Sequence, residues 1–412
     1  MVLAMSNRVT PNRLLAAITV ALASTVALST AAHAGVPFLD RALGIFQSSK
    51  GKPNVGSQGA RSSDSEAGEQ GEEDQFPEPP ELSEEQAAKI AKHTKLGDTF
   101  FERRDFTNAM IEYQDIVKLD KNNLKAHFML GKILMAMSDY EEALKEYEQV
   151  IAIRQTSGDA HFMEAESLRM LGRFVEAERE YSASLKYNPK NALAHAYLGE
   201  CYRNESKYPL AIKECKDSIK LDQKLVVPRI ILAQCYGATR IPELSIEQYK
   251  KAIALNPDDA VTHSRFGVAL GNMKKWDQAL DELTTATKLD PNNSQAHVGR
   301  SWVLANKGRL NEALDEARLA VSLAPNDADT HSSLAWVYSR LGDHASSVMQ
   351  YRLAININPK NPELHRALGM ALKERGDIDG AIAELLATTK MMPHDDESHL
   401  ALQSLMQKRS QQ

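Results

Sequence analysis

The sequence predicts an all-α protein, a solenoid of nine helical hairpins, and three regularities support this prediction. The first is a proline that returns every 34 residues, at Pro189, Pro257, Pro291, Pro325, Pro359 and Pro393. Gln223 fills the one gap, and Gln155 and Lys121 extend the grid backwards. The register therefore holds from about residue 90 to residue 395 without insertion or deletion, which gives nine units.

The second regularity is a pair of positions that accept only small side chains. One lies in the first half of each unit: Gly97, Gly131, Ala165, Gly199, Ala233, Gly267, Ser301, Ala335 and Gly369. The other follows twelve residues later: Ala109, Ala143, Ala177, Ala211, Ser245, Ala279, Ala313, Ser347 and Ala381. Two backbone segments must approach closely at these positions.

The third regularity is the spacing of apolar residues, which recur every three or four positions, as in Leu283, Ala286 and Leu289. This spacing is typical of amphipathic helices. Between the two small positions, several units place Gly before a charged residue, which suits the residue after a helix end: Gly172, Gly308, Gly342 and Gly376. Each unit is therefore predicted to be two helices joined by a tight turn.

These features resemble the tetratricopeptide repeat family, whose unit carries Leu-Gly in the first helix, Ala in the second helix and Pro near the end. Leu96-Gly97, Leu130-Gly131, Leu198-Gly199 and Leu368-Gly369 match that pattern. The resemblance covers about three quarters of the chain. It implies a right-handed superhelical solenoid with a groove lined by first helices, and it leaves the partner open because the fold serves many functions.

The repeats are predicted to occupy residues 83–395. Ser83 and Gln86 form the pattern of a capping box, which favours a helix start at this point. After the last repeat, residues 396–412 are predicted to form a capping helix and tail. Leu400, Leu402 and Met406 are among the apolar residues of its expected inner side.

Residues 1–34 are predicted to be a signal peptide. Arg8 and Arg13 precede an apolar run, and small residues at Ala32 and Ala34 suit cleavage. An uncleaved membrane anchor is the alternative, since the run has about the length of a spanning helix. We therefore expect an exported protein, periplasmic or secreted.

Residues 35–82 are predicted to be a flexible linker with a short amphipathic start. From residue 47 to about residue 80 the chain is rich in Ser, Gly, Glu, Gln and Pro, a composition that does not favour a packed core. The amphipathic start is expected to dock on the repeats, to contact a membrane, or to be loosely ordered. Proximity to a membrane is therefore considered for residues 14–46.

The charge pattern and the cysteines exclude some classes of function. The net charge is −6, and the basic residues are spread through the repeats rather than collected in a run. Nucleic acid is therefore not an expected partner. Cys201, Cys215 and Cys235 do not form a disulfide framework and are expected to be buried, with a single Cys215–Cys235 bridge as the alternative.

Histidine marks one position of most repeats, and a metal site is the first hypothesis that this pattern suggests. The nine residues are His93, His127, His161, His195, His263, His297, His331, His365 and His399. Packed helices lie about 8–10 Å apart, so histidines of successive first helices are too distant to share a metal ion. The position is instead expected to pack between helices, and no metal site is predicted.

The motifs of enzymes are missing from the sequence. It contains no Gly-x-Ser-x-Gly elbow, no phosphate-binding loop and no His-Glu-x-x-His helix. No segment outside the repeats has the length of a catalytic domain. The sequence therefore predicts no enzymatic activity, no catalytic residues, no cofactor and no small-molecule substrate.

The candidate binding residues lie at positions that line the groove in the proteins this chain resembles. Trp302 and Trp336 occupy the same position of successive repeats and are expected to stand side by side, since large aromatic residues are common in binding sites. The further candidates are Asn272, Asn306, Arg340, Arg366, Phe128 and Phe162. The alternative for the aromatic residues is that they pack against neighbouring helices.

We therefore expect a non-enzymatic scaffold or adaptor that binds a protein or peptide in its groove and belongs to an envelope or secreted assembly. The alternative is a polysaccharide-binding or polysaccharide-export accessory protein, since indole rings also stack on sugars.

Overall fold

A computed structural model describes residues 82–411. In this part of the chain, 19 α-helices follow one another and no strand occurs. The predicted signal peptide, residues 1–34, and the predicted linker up to residue 81 lie outside the described residues. The all-α fold is confirmed, and the helices pair into nine hairpins, numbered 1 to 9 along the chain.

The described residues fall into two compact units, divided after Asn188. The first unit holds hairpins 1 to 3 within residues 82–188. Its helices are α1 (Glu84–Glu102), α2 (Phe106–Leu119), α3 (Leu124–Ala136), α4 (Tyr140–Ile153), α5 (Gly158–Met170) and α6 (Phe174–Tyr187).

The second unit holds hairpins 4 to 9 and a final helix. The hairpin helices are α7 (Ala192–Asn204), α8 (Tyr208–Leu221), α9 (Val227–Ala238), α10 (Pro242–Leu255), α11 (Ala260–Asn272), α12 (Trp276–Leu289), α13 (Ser294–Asn306), α14 (Leu310–Leu323), α15 (Ala328–Leu341), α16 (His344–Ile357), α17 (Pro362–Arg375) and α18 (Ile378–Met391). The final helix is α19 (Asp396–Ser410).

The close approach of two helices within each hairpin is confirmed. A Cβ atom added at Gly131 in α3 would lie 2.6 Å from the Tyr147 ring in α4, and one at Gly267 would lie 2.6 Å from Leu283. Tyr147 and Leu283 are both fully buried. The small residue of the first helix therefore makes room for a large residue of the second helix, which explains the periodic Gly and Ala.

The turn inside each hairpin uses a left-handed backbone at one residue, again with a 34-residue period. The nine positions are Arg104, Ser138, Gly172, Ser206, Arg240, Lys274, Gly308, Gly342 and Gly376. The next amide N–H closes the turn by bonding five residues back, as from Arg309 to the Leu304 carbonyl at 3.0 Å. The sequence predicted a glycine turn at four of these positions. At the other five, a residue other than glycine adopts the same left-handed conformation.

Helix starts are capped by polar side chains. The capping box at the start of α1 is confirmed, because the Gln86 amide donates to Ser83 Oγ at 3.2 Å and the Ser83 amide donates to Gln86 Oε1 at 3.0 Å. Asn123, Asn191 and Asn293 cap α3, α7 and α13 in a similar way. These caps bind backbone donors that have no partner within the helix.

The last helix, α19, covers the end of the repeats as predicted. Its residues Leu402 and Leu405 are buried in a cluster that includes Leu385 of α18. Leu400 and Met406 were expected on the inner side, but they are 67% and 46% exposed. The apolar face of α19 that packs against the last hairpin is therefore narrower than predicted.

Within residues 82–411, the structure shows whether the cysteines form a disulfide bridge and whether a helix has the character of a membrane span. Cys201, Cys215 and Cys235 are buried thiols, and the described residues contain no Cys215–Cys235 bridge. Among the described helices, none combines the length and apolar character that crossing a membrane requires.

Candidate functional site

The histidine of each repeat connects the two helices of its hairpin. In hairpin 7, His297 Nδ1 lies 2.7 Å from Glu316 Oε2, and His297 Nε2 lies 3.0 Å from the Pro291 carbonyl oxygen. The carboxylate belongs to the second helix, 19 residues further on, and the carbonyl belongs to the loop before the first helix. The same carboxylate contact is made by His93, His127, His161, His195, His263 and His365.

These contacts indicate which nitrogen atoms of the histidine ring carry hydrogen. A carbonyl oxygen only accepts, so Nε2 carries a hydrogen, and a second proton is needed between Nδ1 and the carboxylate. The hydrogen bond to Glu146 is the main cause that raises the pKa of His127, against the opposing effect of burial. The bond to Glu214 raises the pKa of His195, and the bond to His195 in turn lowers the pKa of Glu214.

Two hairpins vary this arrangement. In hairpin 8 the partner of His331 is the neutral Gln350, with Nδ1 2.7 Å from Oε1. In hairpin 5 Arg229 replaces the histidine and donates to the Gln223 carbonyl at 3.1 Å, while Gln248 stands at the glutamate position. The structure thus supports the predicted packing role of the histidines and adds their polar partners, which the sequence interpretation missed.

A cleft is present in the second unit, between the first helices of hairpins 7, 8 and 9. It encloses about 580 Å³ of space, including its open mouth. Its lining is mainly apolar and comes from α13, α15, α16, α17 and the loop before α17: Val298, Trp302, Asp329, Ser332, Ser333, Trp336, Tyr351, Asn361, Glu363, Leu364 and Ala367. Both predicted tryptophans line it.

Trp302 and Trp336 differ in exposure. Trp302 is only 3% exposed and packs edge-on against Trp276, with ring centroids 5.6 Å apart. Its ring fills the space beside Gly271, where an added Cβ atom would lie 2.2 Å from the indole. The equivalent residue before Trp336 is Ala305, and Trp336 is only partly buried. The two indoles therefore do not stand as an equivalent pair: Trp302 forms a buried wall and Trp336 remains accessible.

The Trp302 indole also carries an unused donor. Its Nε1 atom is buried and has no hydrogen-bond partner among residues 82–411. A buried N–H without an acceptor is costly.

The other candidate residues of the second unit differ in their exposure and in their contacts within the chain. The Arg340 guanidinium lies 5.2 Å from the centroid of the Trp336 ring and is exposed. Asn306 donates to the Trp302 carbonyl at 2.8 Å. Arg366 is 7% exposed and pairs with Glu363 and Glu397, so its charge is compensated within the chain. Asn272 is exposed at the end of α11 and does not line the cleft.

The two phenylalanine candidates belong to the first unit and pack within their own hairpins. Phe162 is 4% exposed and contacts Tyr181 edge-on, with ring centroids 5.8 Å apart. Phe128 is partly buried and contacts Tyr147 in the same way at 5.7 Å.

Several cleft residues were not among the sequence candidates. Ser332 and Ser333 provide hydroxyl groups, and Leu364 and Ala367 provide an apolar side. Ser333 follows Trp302 by 31 residues, a separation that brings the first helices of neighbouring repeats together. This 31-residue separation could have identified Ser333 from the sequence, but only once the face of each helix that lines the cleft is known.

Comparisons with known proteins agree with this architecture. Tetratricopeptide repeat family profiles match residues 124–157, 162–224, 265–328 and 328–361. Together with the hairpin geometry, these matches define the class of a helical repeat scaffold. These matches identify a tetratricopeptide repeat protein, and such proteins generally act as non-catalytic scaffolds for protein–protein interactions. No curated protein matches the sequence significantly.

Several solved structures share the fold. A tetratricopeptide repeat protein from Parabacteroides merdae ATCC 43184 is 17% identical, with a TM-score of 0.55 over 61% of this chain and 99% of that chain. The APC/C hetero-tetramer Cut9-Hcn1 is 14% identical, with a TM-score of 0.54 over 77% and 68%. A MamA protein is 20% identical, with a TM-score of 0.39 over 42% and 95%. At these identities the first two show the fold alone.

Proposed function

We propose that the chain is an exported, non-enzymatic scaffold that binds a segment of a partner protein in the cleft of hairpins 7 to 9. The observation that supports this proposal most directly is the unpaired Trp302 N–H in the wall of an apolar cleft. An extended polypeptide offers a carbonyl oxygen for that donor and an apolar side chain for the surrounding surface.

The chemistry of the lining favours a peptide. Val298, Leu364 and Ala367 offer apolar surface, while Ser332 and Ser333 offer hydroxyl groups that donate to or accept from a peptide backbone. Ligand sites in proteins commonly combine an apolar surface with a few polar groups in this way.

Trp336 and Arg340 complete the accessible edge of the site. Because Trp336 is partly buried, its ring has a fixed position but retains exposed surface for a partner. Arg340 lies against that ring and adds a positive charge that a partner carboxylate would attract. Trp and Arg are enriched among the residues that dominate binding energy at interfaces.

The export part of the proposal depends on residues 1–34, which carry the pattern of a signal peptide in the sequence. A scaffold of this kind would act in the envelope or outside the cell. Polysaccharide recognition receives less support, since the burial of Trp302 leaves only one accessible indole where stacking on successive sugar rings was expected to use two.

Photo-crosslinking tests the proposed function. A photoreactive amino acid replaces Ser333 in the cleft, and a control variant carries it at Met349, which is 56% exposed on α16. After irradiation in an envelope extract, we expect one defined protein to be linked at position 333 and not at position 349. A linked glycan, or identical products from both positions, would contradict the proposal.

A further inference from the structure

Hairpin 3 departs from the other hairpins at one position beside its histidine. Three residues after the repeat histidine, or after Arg229 in hairpin 5, the chain has Leu96, Leu130, Glu164, Leu198, Leu232, Phe266, Arg300, Leu334 and Leu368. Only hairpin 3 places an acidic residue there. The position is leucine in six of the nine hairpins, so Glu164 replaces an apolar side chain that the repeat itself prefers.

The side chain at this position reaches the carboxylate that partners the histidine. In hairpin 7, Arg300 Nη1 lies 2.9 Å from Glu316 Oε1, and Glu316 also contacts His297. A cation at this position thus joins the histidine–glutamate pair. In hairpin 3 the same position holds a carboxyl group beside Glu180 instead.

His161, Glu164 and Glu180 consequently form a compact group. One ligand atom from each lies within 4.8 Å of the other two, and His161 Nδ1 is 2.7 Å from Glu180 Oε2. The Glu164 carboxylate has no hydrogen bond or ion pair with any residue in the described range. Its oxygen atoms are therefore not used by the hairpin itself.

The surroundings of Glu164 disfavour its ionised form. Burial raises the pKa of Glu164 to about 8, and the carboxylates of Glu180 and Glu148 add to the shift while Arg173 opposes it. Arg173 is itself paired with Glu176 and lies 3.8 Å from Glu141. The group thus places one imidazole and two carboxyl groups side by side without a cation bound to Glu164.

The ring of His161 is oriented as a metal ligand requires. Its Nε2–H donates to the Gln155 carbonyl at 3.0 Å, so that Nδ1 faces Glu180 and is the ring atom that a metal ion would contact. Metal-binding histidines usually donate their second ring N–H to a carbonyl or carboxylate in this manner. A tetrahedral zinc ion with bonds of about 2.0–2.1 Å separates its ligand atoms by about 3.3 Å. That value lies between the 2.7 Å from His161 Nδ1 to Glu180 Oε2 and the 4.8 Å within which all three ligand atoms lie.

We propose that His161, Glu164 and Glu180 bind a divalent transition-metal ion of the zinc class between α5 and α6. Three protein ligands and one water molecule would complete a tetrahedral site. The ion would take the place of the protons that the three side chains hold in its absence. The site differs from the metal hypothesis that the histidine spacing excludes, because all three ligands belong to one hairpin.

Solvent reaches this site. The side chains of His161 and Glu180 are 12% and 25% exposed, so an ion can enter without unfolding of the hairpin. The bound ion would link the two helices of hairpin 3 more strongly than the proton does in the other hairpins.

Calorimetric titration of the chelator-treated full chain with Zn²⁺ tests the site. Glu164→Leu installs the residue found in six equivalent positions, and Glu164→Gln keeps the size while removing the charge. His127→Gln is the matched control, since it removes a histidine–glutamate pair next to Leu130. Far-ultraviolet circular dichroism verifies the fold of each variant.

We expect one Zn²⁺ to bind the wild-type chain, and both Glu164 variants to weaken that binding at least about ten-fold. His127→Gln should bind like the wild type. Cobalt should give the visible absorption of a tetrahedral site in the wild type and in His127→Gln, and not in the two Glu164 variants. Equal affinity in the wild type and Glu164→Gln, or equal loss in His127→Gln, would overturn the proposal.

Discussion

The indole of Trp302 lies in the space that a side chain at Gly271 would occupy, with 2.2 Å between the ring and a Cβ atom added at that glycine. Gly271 belongs to α11 and Trp302 to α13, the first helices of consecutive hairpins. One repeat later the equivalent positions hold Ala305 and Trp336, and this second indole is only partly buried. Ala305 thus carries a methyl group at the position where Gly271 leaves room for a ring.

Replacement of Gly271 by Ala is therefore expected to displace Trp302. The overpacked variant should lose about 1–3 kcal/mol of unfolding free energy. Thermal denaturation of Gly271→Ala, Trp302→Phe and the double variant measures the coupling. If Gly271→Ala lowers the unfolding free energy by the same amount with Trp or with Phe at position 302, the two side chains do not compete for this space.

The two tryptophans should respond differently to truncation. Trp302→Ala removes a buried ring and should cost about 3–5 kcal/mol. Trp336→Ala removes a partly exposed ring and should cost about 1–2 kcal/mol. Denaturant titrations followed by circular dichroism compare them, and equal losses would contradict the assignment of Trp302 to the core.

The hairpin turns offer a test of backbone strain. Lys274 has a φ of 59°, and Gly308 has a φ of 80° at the equivalent position. Lys274→Gly should stabilise the chain by about 0.5–1 kcal/mol, because it removes a side chain from a left-handed conformation. Gly308→Ala should destabilise it by about 1 kcal/mol.

The turn at Gly308 isolates the backbone effect, since an added Cβ atom there would meet no atom within 4 Å. Melting temperatures of the two variants provide the measurement. A stabilised Gly308→Ala or a destabilised Lys274→Gly would show that the turn is not strained.

The His195–Glu214 pair predicts a pH dependence of stability. The pKa of His195 is raised above 6.5, so its contribution is complete below pH 6.5 and is lost as pH rises through the raised value. The pKa of Glu214 is lowered below 4.5, so its contribution is complete above pH 4.5 and is lost as pH falls through the lowered value. The pair should therefore contribute most between pH 4.5 and pH 6.5.

His195→Gln should accordingly lower the melting temperature more at pH 5.5 than at pH 9, with a stability difference of about 1 kcal/mol at the lower pH. His331→Gln is the control, because His331 faces the neutral Gln350. If the effect of His195→Gln does not change between the two pH values, the pair carries no ionic component.

The hairpins were predictable because their determinants repeat within the sequence. Gly131 and Gly267 mark close helix contacts, and each is repeated 34 residues away by another small residue. The glutamates at the partner position also share the period, as in Glu282 and Glu316, so the histidine contacts were accessible from the sequence. The 34-residue period alone does not show which residue of the second helix faces the histidine.

The cleft was less predictable, because its shape depends on differences between repeats. Trp302 and Trp336 occupy one repeat position, but their burial differs, and so do neighbouring residues such as Gly271 and its equivalent Ala305. The pairing of Arg366 with Glu363 and Glu397 likewise depends on side-chain geometry across α17 and α19. A repeat pattern locates such positions but does not give their exposure.

The most direct test of the account is the affinity of the partner segment that becomes linked at position 333. A synthetic peptide of that segment is titrated calorimetrically into the wild-type chain, Trp336→Ala and the control Met349→Ala. We expect Trp336→Ala to weaken binding at least about ten-fold and Met349→Ala to leave it unchanged. Unchanged affinity in a folded Trp336→Ala variant would contradict recognition of the partner by the cleft.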